Sequence, residues 1–217
     1  VYGLSCFAEI RDKKKLKIMS VGCGPCTELA AVDYLRNEGV LNYDQLDYRG
    51  IDPLGEVWQP IWNDIREYYP NDILQLVDII VKHSWVPDVL IFQYVFSDMY
   101  KHSDEEEIIQ FINKLAEFLN SYEEKPIYIL CNDINLSKSM GGGREFFDIL
   151  ESKIMEPKIV RKMHFDNINK DRHYEYGEQY DSNVLVFNNI SDEIKNAYNP
   201  FESCASAQIL IKKERKK

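Results

Sequence analysis

The sequence of 217 residues lacks an apolar run long enough to cross a membrane. Its longest apolar segments, such as Val89–Phe96, have the length of a strand and fall far short of the roughly 18 residues that a membrane helix needs. The first residues also lack a signal-peptide pattern, because the short stretch Val1–Ile10 leads directly into the basic run Arg11–Lys17. We therefore expect a cytoplasmic protein without a membrane partner.

Cysteine is scarce, and the number of cysteines is odd. A small secreted domain held by disulfides would need a denser and even set, so reduced thiols are expected here. No second pair of cysteine or histidine residues lies at zinc-ligand spacing, and we expect no metal site. The five cysteines are Cys6, Cys23, Cys26, Cys131 and Cys204.

Basic residues are also few relative to acidic ones. Lysine and arginine number 26 against 36 aspartates and glutamates, which gives a formal net charge of -10. An acidic surface repels phosphate backbones, so we expect no nucleic-acid partner and favour a small-molecule or protein substrate. Two basic clusters, Lys13–Lys15 and the set Lys212, Lys213, Arg215, Lys216 and Lys217, are interpreted as solvated charge.

The sequence does contain a regular alternation of short apolar strands with longer amphipathic helices. This pattern predicts an α/β fold: a doubly wound, mostly parallel seven-stranded sheet with a reversed final strand and helices on both faces. No linker or internal repeat interrupts the pattern, so we expect a single domain over residues 1–217, with a lead-in at 1–15 and a basic tail at 213–217.

The predicted strands are Leu16–Val21, Asp47–Ile51, Asp88–Phe96, Pro126–Cys131, Lys158–Phe165 and Ala207–Lys212. The predicted helices are Cys26–Asn37, Glu56–Tyr69, Glu105–Ser121 and Glu145–Lys153. Two segments stay open: Ile73–Val81 fits a buried strand or a helix, and Asn183–Phe187 is compatible with a further strand or an excursion.

The segment from Ser20 to Glu28, with the sequence SVGCGPCTE, follows the first strand and opens the first long helix. Gly22 and Gly24 allow the backbone to turn tightly and approach a ligand, and the free amides of a helix start can bind its polar groups. The next strand ends in Asp52, an acid placed to accept hydrogen bonds from ribose hydroxyls. This order of elements predicts a nucleoside-binding half-domain.

A competing interpretation concerns Cys23 and Cys26. They form the C-x-x-C spacing of a thioredoxin-like redox site, at a strand-to-helix junction that would lower the pKa of the first thiol. The chain continues, however, with several strand–helix units and the Gly50-Ile51-Asp52 strand end, which differs from a thioredoxin fold.

The two motifs together resemble those of class I S-adenosylmethionine-dependent methyltransferases. Val21–Leu29 resembles the family's first motif, and Tyr48–Asp52 resembles its ribose-binding motif. Asp88–Asp98 is similar to the fourth strand, whose end borders the methyl-transfer cleft. The resemblance spans about residues 16–212, and its specific motifs are the first two. It departs from the family at Ser20, where many members have an acid, and at Cys26, where many have glycine.

The resemblance implies S-adenosylmethionine as cofactor and S-adenosylhomocysteine as product. It also implies two catalytic candidates after the fourth strand, Tyr94 and Asp98, with Ser97, His102, Asn132 and Asp133 near the same cleft. The amino-group DNA methyltransferases are disfavoured, because Gln93–Phe96 replaces their Asn/Asp-Pro-Pro-aromatic stretch. A non-catalytic binding module with a degenerate cofactor site remains an alternative. The implied cofactor-binding residues are Gly22, Cys23, Gly24, Pro25, Thr27, Glu28, Asp52, Pro53 and Gln93.

Overall fold

The computed structural model describes residues 1–61, 67–166, 176–180 and 205–215. One sheet of eight strands runs through these residues, in the order β3-β2-β1-β4-β5-β8-β6-β7. The strands are β1 Lys15–Val21, β2 Gln45–Ile51, β3 Glu67–Tyr69, β4 Val89–Gln93, β5 Ile127–Ile134, β6 Lys158–Asp166, β7 Glu178–Tyr180 and β8 Ala205–Lys213. The helices are α1 Ala8–Arg11, α2 Thr27–Asn37, α3 Gly55–Trp58, α4 Leu76–Lys82, α5 Val95–His102, α6 Glu105–Ser121 and α7 Glu145–Lys153.

The strand order reverses beside β1, and this reversal places the site. The chain builds outward from β1 to β2 and β3, then returns to pair β4 with the other side of β1, always in parallel. Among the eight described strands, β8 alone runs antiparallel to its neighbours, β5 and β6. The predicted doubly wound, mostly parallel sheet with a reversed final strand is confirmed, and the short strand β7 extends it to eight strands. Ligands of such sheets bind beyond the carboxyl ends of the strands at the reversal.

Alternating side chains of β1 divide the core between the two faces of the sheet. Leu16 and Ile18 pack on one side, with α2 and the amino-terminal segment, whereas Met19 and Val21 pack on the other, with α4, α6 and α7. Both faces are thus covered, and β1 is buried on both sides, as expected for the central strand of a parallel sheet.

Most predicted elements are confirmed to within one or two residues at either end. Glu105–Ser121 and Glu145–Lys153 form helices with the predicted bounds, and the ambiguous Ile73–Val81 is helical, as a 3-10 turn followed by α4. The segment Asn183–Phe187 lies outside the described residues. In the part of the chain that is described, no helix is long and apolar enough to span a bilayer.

Two predictions were wrong. The first prediction was a helix over Glu56–Tyr69. The structure has instead the short helix α3, a 3-10 turn over Gln59–Ile61 and the strand β3. Pro60 removes a helix donor, and the residues of β3 gain ladder bonds to β2 instead.

The strand expected over Asp88–Phe96 ends at Gln93. Tyr94 has a left-handed backbone with φ of 57°, which breaks the extended chain, and α5 begins at the next residue. Val95 and Phe96 are buried on a helix rather than a strand. Burial alone cannot separate these two outcomes in a short apolar run.

Candidate functional site

The loop between β1 and α2 folds as a tight turn that is bonded to the neighbouring strand. The amides of Gly22 and Cys23 donate to the carbonyl oxygen of Ile51 at the end of β2, at 2.9 and 3.2 Å. Gly22 has a φ of 61°, and a Cβ added there would lie 2.9 Å from a methyl group of Val95. Glycine is therefore required, because the loop packs closely against the start of α5.

Gly24 sits at the open side of this loop. Its φ is 43°, and a Cβ built on it would have no described atom within 4 Å. The space that a side chain would occupy at this position is therefore open, and the residue itself is half-buried. The sequence prediction that glycine lets a ligand approach the chain applies to this position, whereas Gly22 serves packing.

Asp52 is bonded directly to the glycine loop. One carboxylate oxygen accepts the amide of Gly24 at 2.8 Å, and the other accepts the amide of Leu54, also at 2.8 Å. The residue is 7% exposed. Each carboxylate oxygen has a second lone pair, so these bonds fix the orientation of the group and leave acceptor capacity for two hydroxyls. The two sequence motifs thus meet at one hydrogen bond.

Tyr68 supports the same corner and was not singled out from the sequence. Its hydroxyl donates to the carbonyl oxygen of Asp52, and its ring fills the space beside Gly55, where a Cβ would lie 1.9 Å from the hydroxyl oxygen. Burial raises the pKa of this phenol, so it stays protonated and able to donate. The sequence predicts a helix at Tyr68, so its position on β3, which pairs with β2, was not foreseen.

Cys23 and Cys26 are both buried under the loop as free thiols. The contact with Cys26 and burial both raise the pKa of Cys23. Reactive cysteines need the opposite, a lowered pKa and access to solvent. Cys26 also adopts a left-handed backbone, with φ of 59°, immediately before α2. The thiols pack under the loop, which disfavours the redox interpretation.

Glu28 lies in the first turn of α2 and is also buried, at 5% exposed. The hydroxyl of Ser20, at the end of β1, donates to its carboxylate at 3.5 Å. Burial raises the pKa of Glu28. The other loop residues of the predicted set, Pro25 and Thr27, are exposed at the rim, as is Pro53 after Asp52.

The end of β4 forms the opposite wall of the site. Gln93 is half-buried and accepts a weak hydrogen bond from the side-chain amide of Asn132 at 3.5 Å. Tyr94 is 39% exposed and immediately precedes α5, and Asp98 is an exposed residue in the first turn of that helix. The Asp98 carboxylate lies 3.9 Å from a ring nitrogen of His102, and both side chains are exposed.

Asp133 has a structural position rather than one facing the cleft. It is fully buried at the end of β5 and accepts the amides of Ser97, at 2.9 Å, and Ile134, at 2.7 Å. Burial raises the pKa of this carboxyl. Gly143 packs against the same point, because a Cβ there would lie 2.4 Å from the Ser97 nitrogen. This contact fixes the amino end of α5 against β5.

The predicted residues therefore meet at the carboxyl edge of the sheet, from the loop after β1, the end of β2 and the end of β4. The topology places them at the point where the strand order reverses. The described residues contain no group of three or more histidine, cysteine, aspartate and glutamate side chains arranged to hold a metal ion.

Comparison with known structures identifies the fold. A SAM-dependent methyltransferase from Archaeoglobus fulgidus matches with a TM-score of 0.52 and 14% identity, over 97% of this chain and 91% of that chain. The plantazolicin methyltransferase BpumL, in complex with a pentazolic desmethylPZN analogue and SAH, matches with a TM-score of 0.53 and 15% identity, over 99% and 82% of the two chains.

A possible exported protein from Bordetella parapertussis has a similar TM-score, 0.51, at 10% identity, over 98% of this chain and 67% of that chain. No protein-family model and no curated protein sequence matches. At these identities the likeness concerns the fold. That fold is the one of the class I S-adenosylmethionine-dependent methyltransferases, as the sequence motifs predicted.

Proposed function

We propose that this chain binds S-adenosylmethionine at the glycine loop and transfers its methyl group to a small-molecule or protein acceptor. The observation that carries the proposal is the hydrogen bond between Gly24 and Asp52. It joins the glycine loop to a buried, oriented carboxylate at the reversal point of the sheet, which is where open α/β sheets bind nucleosides.

The residues present fit such a cofactor. Asp52 would accept the two ribose hydroxyls through its remaining lone pairs, while the backbone around Gly24 and the amides at the start of α2 would bind the amino-acid end. Gln93 and Pro53 would line the site on either side. Cys23 contributes packing and its backbone, because its thiol is buried.

Methyl transfer asks the protein mainly for alignment, because the sulfonium of the cofactor supplies an activated methyl group. The chain must hold the acceptor atom in line and remove a proton where the acceptor carries one. Tyr94 and Asp98 extend from the wall formed by β4 and α5, and Asp98 with His102 provides a carboxylate–imidazole pair for that proton. These roles are part of the proposal.

The surroundings of the site favour an acceptor with an apolar surface. Among the described residues, five of the nine exposed large hydrophobic side chains follow the carboxyl ends of β2, β4 and β5 in the chain, at the edge that carries the site. Exposed apolar groups concentrated at one place mark binding surfaces more often than scattered ones do. The five are Leu54, Val57, Ile61, Tyr94 and Met140.

Calorimetry with S-adenosylhomocysteine tests the proposal. We expect saturable binding, and Asp52→Asn should weaken it by about 1.5–3 kcal/mol, the range for hydrogen bonds to a charged group. Asparagine keeps the size of the side chain but loses acceptor capacity on one of its terminal atoms. A thermal shift should accompany binding, because a ligand at 100 times its dissociation constant stabilises by about 2.7 kcal/mol.

The matched control is Asp44→Asn, which removes an exposed carboxylate just before β2, at the opposite edge of the sheet. It should leave the affinity unchanged. If the unmodified protein does not bind S-adenosylhomocysteine, or if the two variants weaken binding equally, the proposed cofactor site is wrong.

A further inference from the structure

Glu28 is a buried acid, and its carboxylate would be stabilised by a cation. It is 5% exposed, on the face of the sheet that packs against α2. Among the described residues, no lysine or arginine forms an ion pair with it, and the amino group of Val1 acts on it electrostatically without reaching ion-pair distance. A buried carboxylate without an ion-pair partner is costly, and such a group beside a cleft is a candidate for ligand binding.

The position of Glu28 relates it to the cofactor loop. Its carboxylate receives the hydroxyl of Ser20, the last-but-one residue of β1, and the loop from Gly22 to Cys26 connects these two residues. Side chains at even positions of β1, including Ser20, face α2. Ser20, at the end of β1, is not an acid, but it is hydrogen-bonded to one. That acid is Glu28, in the first turn of α2, on the same face of the sheet.

The polar surroundings on this face are otherwise sparse. The hydroxyl of Tyr48, on β2, is buried and opposes the rise in the pKa of Glu28, although it forms no hydrogen bond of standard geometry with the described residues. Ser20 is fully buried. Together the three side chains form a small polar cluster under the start of α2, with one net negative charge when Glu28 is ionised.

We propose that Glu28, oriented by Ser20, binds the α-ammonium group of the S-adenosylmethionine amino-acid moiety and thereby selects ligands that carry it. This inference rests on the proposed function and deepens it. A primary ammonium offers three donors and a positive charge, which match a buried carboxylate. A nucleoside that lacks the amino acid has nothing to place there.

Two ligands and one isosteric substitution separate this role from the proposed function as a whole. S-adenosylhomocysteine carries the ammonium, whereas 5′-methylthioadenosine keeps the nucleoside and sulfur but lacks the amino acid. We expect Glu28→Gln to weaken S-adenosylhomocysteine binding by about tenfold or more, the scale of one hydrogen bond to a charged group. Its affinity for 5′-methylthioadenosine should stay unchanged. The control Glu38→Gln, an exposed residue just after α2, should change neither affinity.

Stability gives a second readout. Burial raises the pKa of Glu28 in the folded protein, so its ionised form opposes folding at neutral pH, and Glu28→Gln should melt at the same temperature or higher. A purely structural role in the first turn of α2 predicts a lower melting temperature, since an acid there favours the helix.

An exchange variant keeps the test informative if the single variant folds poorly. Combining Ser20→Glu with Glu28→Ser retains the total side-chain volume and returns the acid to the strand. It should bind S-adenosylhomocysteine more tightly than Glu28→Gln or Glu28→Ser does.

The outcomes are distinct. Equal weakening of both ligands by Glu28→Gln, or no weakening of either, overturns the role of Glu28 while the nucleoside site stands. Failure of the exchange variant to recover any affinity, in a folded protein, contradicts it as well. If the unmodified protein binds neither ligand, the proposed function and this inference fall together.

Discussion

Individual residues of the loop carry backbone geometry that their side chains do not favour. Cys26 has φ of 59°, a left-handed conformation that costs an ordinary residue roughly 1–2 kcal/mol. Gly22 and Gly24, in the same loop, have positive φ without that penalty. The buried sulfur of Cys26 therefore offsets the backbone cost by packing beside Cys23.

This explanation predicts an inverted order of stability at position 26. Cys26→Gly and Cys26→Ala both remove the sulfur, but only glycine relieves the left-handed backbone, so the glycine variant should be more stable by about 1 kcal/mol. Urea denaturation of both variants gives the difference.

The matched pair lies in the following helix. Ala30 is exposed within α2, where replacement by glycine should lower stability by about 1 kcal/mol. If alanine is the more stable residue at position 26 as well, the left-handed conformation of Cys26 is not a constraint in the folded protein.

At the scale of elements, α5 connects the two halves of the site. Its amino end touches the glycine loop through Val95 and Gly22, and it is bonded to β5 through Ser97 and Asp133. Gly143, before α7, closes against the same point. The orientation of Tyr94 and Asp98 therefore depends on a packing junction formed by three separate segments.

Gly143→Ala tests this junction. The added methyl group would lie 2.4 Å from the Ser97 nitrogen and 2.5 Å from an Asp133 oxygen, so backbone must shift. Overpacking of this kind costs about 1–3 kcal/mol, which thermal and urea unfolding would detect.

Gly3→Ala is the control, because its added methyl group would meet other side chains at 3.7 Å, an ordinary contact. It should change stability by less than about 0.5 kcal/mol. Equal effects of the two substitutions would show that the junction is not tightly packed.

The elements also show where the sequence was sufficient. The helices α6 and α7 were predicted with their observed bounds, because long apolar stripes at helical spacing have one interpretation. β3 and the start of α5 were mispredicted for the opposite reason. The three residues of β3 are stabilised by pairing with β2, and the chain turns at Tyr94 because of the left-handed backbone of that residue. Neither feature produces a periodic pattern in the sequence.

At the scale of the whole molecule, the order of strands turns separate motifs into one site. Gly24, in the glycine loop, and Asp52 are 28 residues apart in the sequence, and they meet because β2 pairs with β1. The sequence could predict this meeting, since an acid at the end of the second strand belongs to the same edge as the loop. It could not predict Tyr68, or the closeness of Ser20 and Glu28, because side-chain contacts across elements depend on packing.

The expectation that no nucleic acid binds stays a prediction from the net charge of -10. The roles of Tyr94 and Asp98 also stay predictions, because the acceptor that they would face is unidentified.

The crystal structure of the complex with S-adenosylhomocysteine tests the central claim most directly. The ribose hydroxyls should lie within hydrogen-bond distance of the Asp52 carboxylate, with the amino-acid end against the loop from Gly22 to Thr27. Asp52 should keep its bond to the amide of Gly24, since each carboxylate oxygen can accept twice. Ligand density at the opposite edge of the sheet, or a complex in which Asp52 contacts no ribose oxygen, would contradict the assignment of this site.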